Sequence, residues 1–167
     1  MTSRVDSLPT EVTVLTDVNI LAIGLTDDHP AYDEVYPWIE DALDGPNGLL
    51  VFDYYPLRAQ YIMTQQFGVE PVDARNAVQS LVQSPARIIS ANDTTVLDAY
   101  DISAEKNHDV YDAFLLALAR SYDADYLLTT DTDFEELCEA EDVTYQNPIP
   151  AEKRDVLTVT EGLHNCY

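Results

Sequence analysis

Apolar and polar residues follow two different rhythms along this chain. From Val12, the stretch VTVLTDVNILAIGL is apolar and β-branched and predicts a single buried strand. The period then changes: Pro30 suits the first turn of a helix, and Tyr32, Val35, Ile39 and Leu43 recur at helical spacing. The turn residues DGPNG, Asp44 to Gly48, end that helix, and LLVF predicts a second strand. Asp53 suits the cap of a helix from Tyr55 to Phe67 closed by Gly68, and Asp73 opens another that stops at Pro85. RIISA reads as a third strand. Asn92 to Asn107 reads as a helix with a frayed end, and Asp109 to Asp125 as the most regular helix, apolar at Phe114, Leu115, Leu118 and Tyr122. YLLTT is a fourth strand, DFEELCEAE a short helix, and VTYQNPI a last strand before an irregular tail.

Strands and helices thus alternate with short connections and no internal repeat. This predicts an α/β fold, a three-layer α/β/α sandwich around a mainly parallel central sheet. No linker divides the chain, so residues 1-150 are expected to form one domain, with 151-167 as a C-terminal extension.

Composition sharpens this picture. Apolar residues make up 46% of the 167 residues and are spread throughout, as in a globular protein. No apolar run approaches the roughly 18 residues of a membrane span, and the N-terminus lacks a signal-type apolar core, so a cytoplasmic protein is expected. Cys138 and Cys166 are too few and too far apart for a metal knuckle or a disulfide framework. Charge is the strongest signal. Asp plus Glu number 31 against 8 Lys plus Arg, a net charge of −23. The acids are scattered rather than massed in a tail, and such a surface is suited to near-molar salt, where the Debye length falls to about 3 Å. An aspartate-rich, lysine-poor chain resembles proteins of extreme halophiles such as haloarchaea. In that setting, the lack of a basic patch does not exclude a nucleic-acid substrate, because phosphate repulsion is screened.

Functional groups in open α/β sheets gather at the carboxyl ends of the strands. Asp17 and Asn19 fall where the first strand runs out, Asp131 and Asp133 where the fourth does, and Asp112 near the start of the most regular helix. Taken singly, each has a plain structural reading: Asp133 as a cap for the helix from Phe134, Asp112 as a first-turn carboxylate favoured by the helix dipole. Together, four carboxylates at one edge would repel unless a cation sat among them. Hard divalent ions such as Mg²⁺ or Mn²⁺ take carboxylate oxygens and can bridge a phosphodiester.

The series LTDVN, VYDAFLLALA and LLTTDTDFEEL, closing on a strand with NPI, resembles the PIN-domain ribonucleases, most nearly the toxin halves of VapBC-type toxin–antitoxin pairs. The resemblance covers Val12 to Ile149. It implies a PIN-like fold and a metal-dependent endoribonuclease, with Asp17, Asp112, Asp131 and Asp133 as catalytic and metal-binding acids. Asn19 and a threonine before the last acid, Thr129 or Thr130, support the ligands; Thr130 is placed in that role. It also implies an RNA substrate, an antitoxin protein that covers the site, and a homodimer, for which the tyrosines and Trp38 would supply an apolar surface. The chain departs from the family at one point. Arg58 falls where a glutamate is usual, and Asp53 one turn earlier is the alternative acid. A guanidinium there would compete for the carboxylates or bind a substrate phosphate.

Two other functions compete with this one. A PIN scaffold that binds RNA or a protein partner without cutting is supported by Arg58. A phosphotransfer site of haloacid-dehalogenase type would use DTD, but it needs an early nucleophile and a later lysine, and only Lys153 follows. His29, His108 and His164 have no metal-binding spacing and read as surface or capping residues. Tyr54 and Tyr55 suit either base stacking or, more simply, apolar packing.

Overall fold

The computed structural model describes residues 7–157. Cys166, His164 and most of the predicted extension lie outside them. Five strands form one sheet: β1 (Thr13–Thr16), β2 (Gly48–Phe52), β3 (Arg87–Ile89), β4 (Tyr126–Leu128) and β5 (Thr144–Gln146). Their order is β3-β2-β1-β4-β5, and every neighbouring pair is parallel.

Strand alternation distributes the core. Val14, Leu49, Val51 and Leu128 face one side; Leu15, Leu50, Ile89 and Leu127 face the other. The first face is covered by α1 (Val18–Gly24), α2 (Tyr32–Leu43), α3 (Tyr55–Gln65) and α4 (Pro71–Gln83). The second is covered by α5 (Asp93–Lys106), α6 (Val110–Ser121) and α7 (Asp133–Leu137). The expected sandwich is therefore present, with a fully parallel sheet. Strands buried on both faces read as unbroken apolar runs, which is why β2 and β4 carry almost no polar positions.

The first predicted strand is a strand and a helix. β1 ends at Thr16, and α1 starts two residues later, with Asp17 as its N-cap. Ile20 to Gly24 are all buried, so α1 has no polar stripe to betray a helical period. Other boundaries move less. α4 starts at Pro71 rather than Asp73, which lies in its first turn. α5 shows no fraying: Asn92 Oδ1 accepts from Thr95 N at 2.9 Å, and Asn107, at φ 50°, ends it in the left-handed region. Asp53 does not cap α3; its Oδ2 accepts from Ser90 Oγ at 2.8 Å.

The tail is not irregular where it is described. Ala151–Leu157 is a helix, α8, in which Lys153 pairs with Glu34 of α2 and Arg154 Nε donates to Ile149 O at 3.0 Å. Trp38 is only 7% exposed, so it belongs to the core rather than to an interface. No helix of the described residues is long and apolar enough to cross a membrane.

Candidate metal centre

The sheet grows outward from β1 through β2 to β3, then the chain returns to lay β4 on the other side of β1. Connections therefore diverge from the carboxyl ends of β1 and β4, which leaves a crevice there. Asp17 follows β1 directly, and its N–H donates to Leu128 O, the last residue of β4, at 2.9 Å. Asp131 and Asp133 lie just beyond β4. Asp112 comes from the third layer, in the first turn of α6, where Asp109 caps the helix by accepting from Tyr111 N at 2.8 Å.

Hydrogen bonds fix the carboxylates relative to one another. Asp17 is 7% exposed; its Oδ1 accepts from Val18 N at 2.6 Å and its Oδ2 from Thr129 Oγ1 at 2.8 Å. The same Thr129 hydroxyl accepts from Asp131 N at 3.1 Å, and Asp131 Oδ1 accepts from Asp133 N at 2.9 Å. One fully buried threonine thus ties the end of β1 to the acidic loop after β4. The bracing expected of Asn19 and Thr130 falls to Thr129; Asn19 sits half-buried in the first turn of α1, and Thr130 contributes its carbonyl to Asn147 Nδ2. Thr129→Val keeps the shape but leaves a buried carboxylate oxygen and a backbone N–H without this partner. It is expected to cost about 1–3 kcal/mol in chemical denaturation, against roughly 0.5 kcal/mol or less for Thr130→Val.

Carboxylate oxygens of Asp112, Asp131 and Asp133 all lie within 4.8 Å of one another, a spacing that fits one hard divalent ion. Asp17 flanks this trio. Asp112 is the strained member: burial first, then the charges of Asp131, Asp109 and Asp17, push its carboxyl up to about 7, while His108 opposes the rise. His108 Nε2 lies 3.2 Å from Asp112 Oδ2, a contact that the sequence reading of His108 as a surface or capping residue missed. His29, also read as a surface or capping residue, is buried; its Nδ1 accepts from Ala31 N at 3.0 Å, a capping contact.

The sign of the resulting pH effect follows directly. The folded state holds a proton on Asp112 that the unfolded chain releases near 3.8, so metal-free protein loses stability as pH rises from about 4 through about 7. Thermal unfolding in molar KCl with EDTA is expected to show a falling melting temperature between pH 5 and pH 8. The slope should flatten in Asp112→Asn.

Cationic groups steady the acidic loop from behind. Glu141 pairs with Arg120 Nη2 at 2.8 Å and with Lys106 Nζ at 3.0 Å, and Lys106 also donates to Leu137 O at the end of α7. The Arg120 hydrogen bond leads in holding the Glu141 carboxyl below its ordinary range. Lys106 thus holds the end of α7, and both cations hold Glu141 in the turn beyond it.

Arg58 stands in the wall of a cavity of about 410 Å³ that opens beside the acids, with Asp17 and Asp112 also lining it. Its guanidinium lies 5.0 Å from the Tyr61 ring centroid, and among the described residues no ion pair joins it to an acid. It does not compete for the carboxylates. Asp53, exposed and bonded to Ser90, lies outside both the trio and the cavity lining, so it does not take the missing glutamate's place.

A parallel sheet in this order, with acids at its switch point, defines an α/β protein of the PIN type. Residues 14–140 match the PIN domain, and the chain belongs to that family. The fold is similar to that of Mycobacterium tuberculosis VapC20, a sarcin-ricin loop cleaving toxin, at 13% identity and a TM-score of 0.59 over 73% of this chain and 92% of that one. It is similar also to VapBC2 from Rickettsia felis, solved bound to a DNA fragment from its promoter, at 15% identity and a TM-score of 0.59 over 81% and 98%. No curated protein matches the chain by sequence.

Proposed function

We propose that the protein is a divalent-metal-dependent endoribonuclease of the VapC type, the toxin of a toxin–antitoxin pair acting in the cytoplasm. The observation that carries this is the meeting of Asp112, Asp131 and Asp133 within 4.8 Å, flanked by Asp17, where β1 and β4 end. Membership of the PIN family and likeness to a toxin that cleaves an RNA loop support RNA as the substrate. Asp112, Asp131 and Asp133 would hold Mg²⁺ or Mn²⁺, with Asp17 as a further ligand. The ion, when bound, supplies Lewis-acid polarisation of a phosphate oxygen and lowers the pKa of a bound water.

The chain's own residues set the rest. Thr129 keeps Asp17 and Asp131 at a fixed separation, and His108 restrains one oxygen of Asp112 so that the other is free to turn inward. Asp133, the exposed member of the trio, would serve as a ligand or orient the attacking water. An antitoxin covering this edge and a homodimer are the expected assemblies. The exposed Leu57 and Tyr61 of α3 and Leu97 of α5 offer apolar surface for contact. The −23 charge supports a working environment of high salt.

Arg58 in the cavity wall favours a second reading, a PIN scaffold that binds without cutting. Its resting place on Tyr61 argues for the nuclease. Calorimetric titration of Mn²⁺ in molar KCl, followed by RNA cleavage assays, separates the two. The nuclease requires binding that is lost in Asp131→Asn and cleavage that depends on the ion. Binding without cleavage, with cleavage gained in Arg58→Glu, would favour the impaired scaffold, and no Mn²⁺ binding at all would sink the nuclease and leave the scaffold standing.

A further inference from the structure

We infer that the cavity beside the acids is a pocket for an unstacked nucleobase of a single-stranded RNA segment, next to the phosphodiester to be cleaved. The inference rests on the nuclease reading and names the form of substrate that reading leaves open.

Three observations carry it. The first is continuity: Asp17 and Asp112 belong both to the acidic centre and to the cavity wall, so whatever fills the cavity lies within one nucleotide of the carboxylates. The second is size and lining. At about 410 Å³ the cavity falls in the range of small-molecule sites, roughly 300–1,000 Å³. That volume is large enough for a base and its sugar. Its mouth carries Tyr54 and Tyr100, 56% and 62% exposed, while Phe52 and Phe114 meet edge to face at 5.2 Å deeper in. An apolar lining that carries several aromatic rings suits a π-face, which every base offers.

The third is charge. Arg58 is the one basic side chain in the lining, and it is parked on an aromatic ring with no acid partner among the described residues. It is available to a phosphate or to the face of a base. A chain of net charge −23 gains nothing from long-range attraction to an RNA backbone. Affinity must come from contacts that salt does not weaken, and stacking in an apolar pocket is such a contact. A protein side chain inserted by a partner is the competing occupant. It is disfavoured because the cavity's continuity runs to the groups that would perform phosphodiester chemistry.

The test is steady-state cleavage by the full chain with Mn²⁺ in molar KCl, on a short single-stranded RNA of mixed sequence and on the same RNA fully paired. Tyr54→Ala and Tyr100→Ala are both exposed substitutions. Each is expected to raise KM roughly 5- to 100-fold, the loss of one stacked base, with kcat and Mn²⁺ affinity kept. Tyr100→Phe should restore KM, Val82→Ala, on exposed α4 surface outside the cavity, should leave it unchanged, and the paired RNA should resist cleavage. Wild-type KM in both tyrosine variants, or equal cleavage of the paired strand, overturns the pocket while leaving the nuclease standing. The same holds if the alanine variants lose only a co-expressed protein partner. Wild-type protein inert on every RNA overturns both.

Discussion

Asp112→Asn is expected to stabilise the metal-free protein and to disable it in the same stroke. The wild-type carboxyl is held at about 7 by burial and by Asp131, Asp109 and Asp17, so at pH 8 the folded chain carries a charge it would rather not hold. Removing that charge should raise stability by an amount on the order of 4 kcal/mol at most, from the displacement between 3.8 and about 7. The realised gain is smaller, because the amide keeps only part of the contact with His108. The gain should shrink as pH falls and vanish only below about 3.8, where the carboxyl is protonated in folded and unfolded chains alike. Mn²⁺ affinity and RNA cleavage should fall together by more than the roughly 10–100-fold that loss of an outer partner costs a metal site. Denaturant unfolding at pH 5 and pH 8 in EDTA, beside calorimetry and cleavage at pH 8, reads all of this. A variant no more stable than wild type at pH 8 would show that the acids repel less than their spacing implies.

Phe134→Ala should produce the largest loss of stability of any single change near the site. Phe134 is 1% exposed, in the first turn of α7, and packs in the core cluster that includes Leu15, Leu115 and Leu127. A phenylalanine cut to alanine in such a place costs about 3–5 kcal/mol, partly as transfer and partly as cavity. For a domain of this size, that is roughly a 6–20 °C drop in melting temperature. The residue follows Asp133 directly, so the variant should also lose metal affinity while still folded, and a high-salt thermal scan with and without Mn²⁺ separates the two effects. Phe134→Leu, which keeps most of the volume, should recover most of the stability and tolerate the metal. Equal metal affinity in wild type and a folded Phe134→Ala would mean that the acidic loop is positioned by Thr129 alone.

The sequence carried the fold well wherever burial is one-sided or a turn intervenes. Tyr32, Val35, Ile39 and Leu43 marked α2, and DGPNG marked the start of β2. It failed where burial is complete. α1 has no polar face, so its apolar residues continued the strand pattern of β1, and only the capping geometry of Asp17 separates the two. Among site residues, the acids were legible because their positions follow strand ends and a helix start. Their supports were not. Nothing in TTD distinguishes Thr129 from Thr130 until the pleat of β4 turns one of them inward toward β1. His108 was read as a surface or capping residue because it lacks metal-binding spacing, yet one turn of backbone brings its ring to Asp112. Arg58 lines the cavity beside the acids, and its contact with the Tyr61 ring is visible only once α3 is a helix.

The strand order has a consequence for when the acids can meet. Asp17 and Asp131 are held by one hydroxyl, yet 112 residues separate Asp17 from the threonine that carries it. β1 is made first and waits at the centre of the sheet while β2 and β3 are added on one side; its other edge stays open until β4 arrives. During synthesis, therefore, no growing chain that stops before Asp133 can assemble the carboxylate trio. The acidic edge is thus a late product of the topology: it exists only once both edges of β1 are paired.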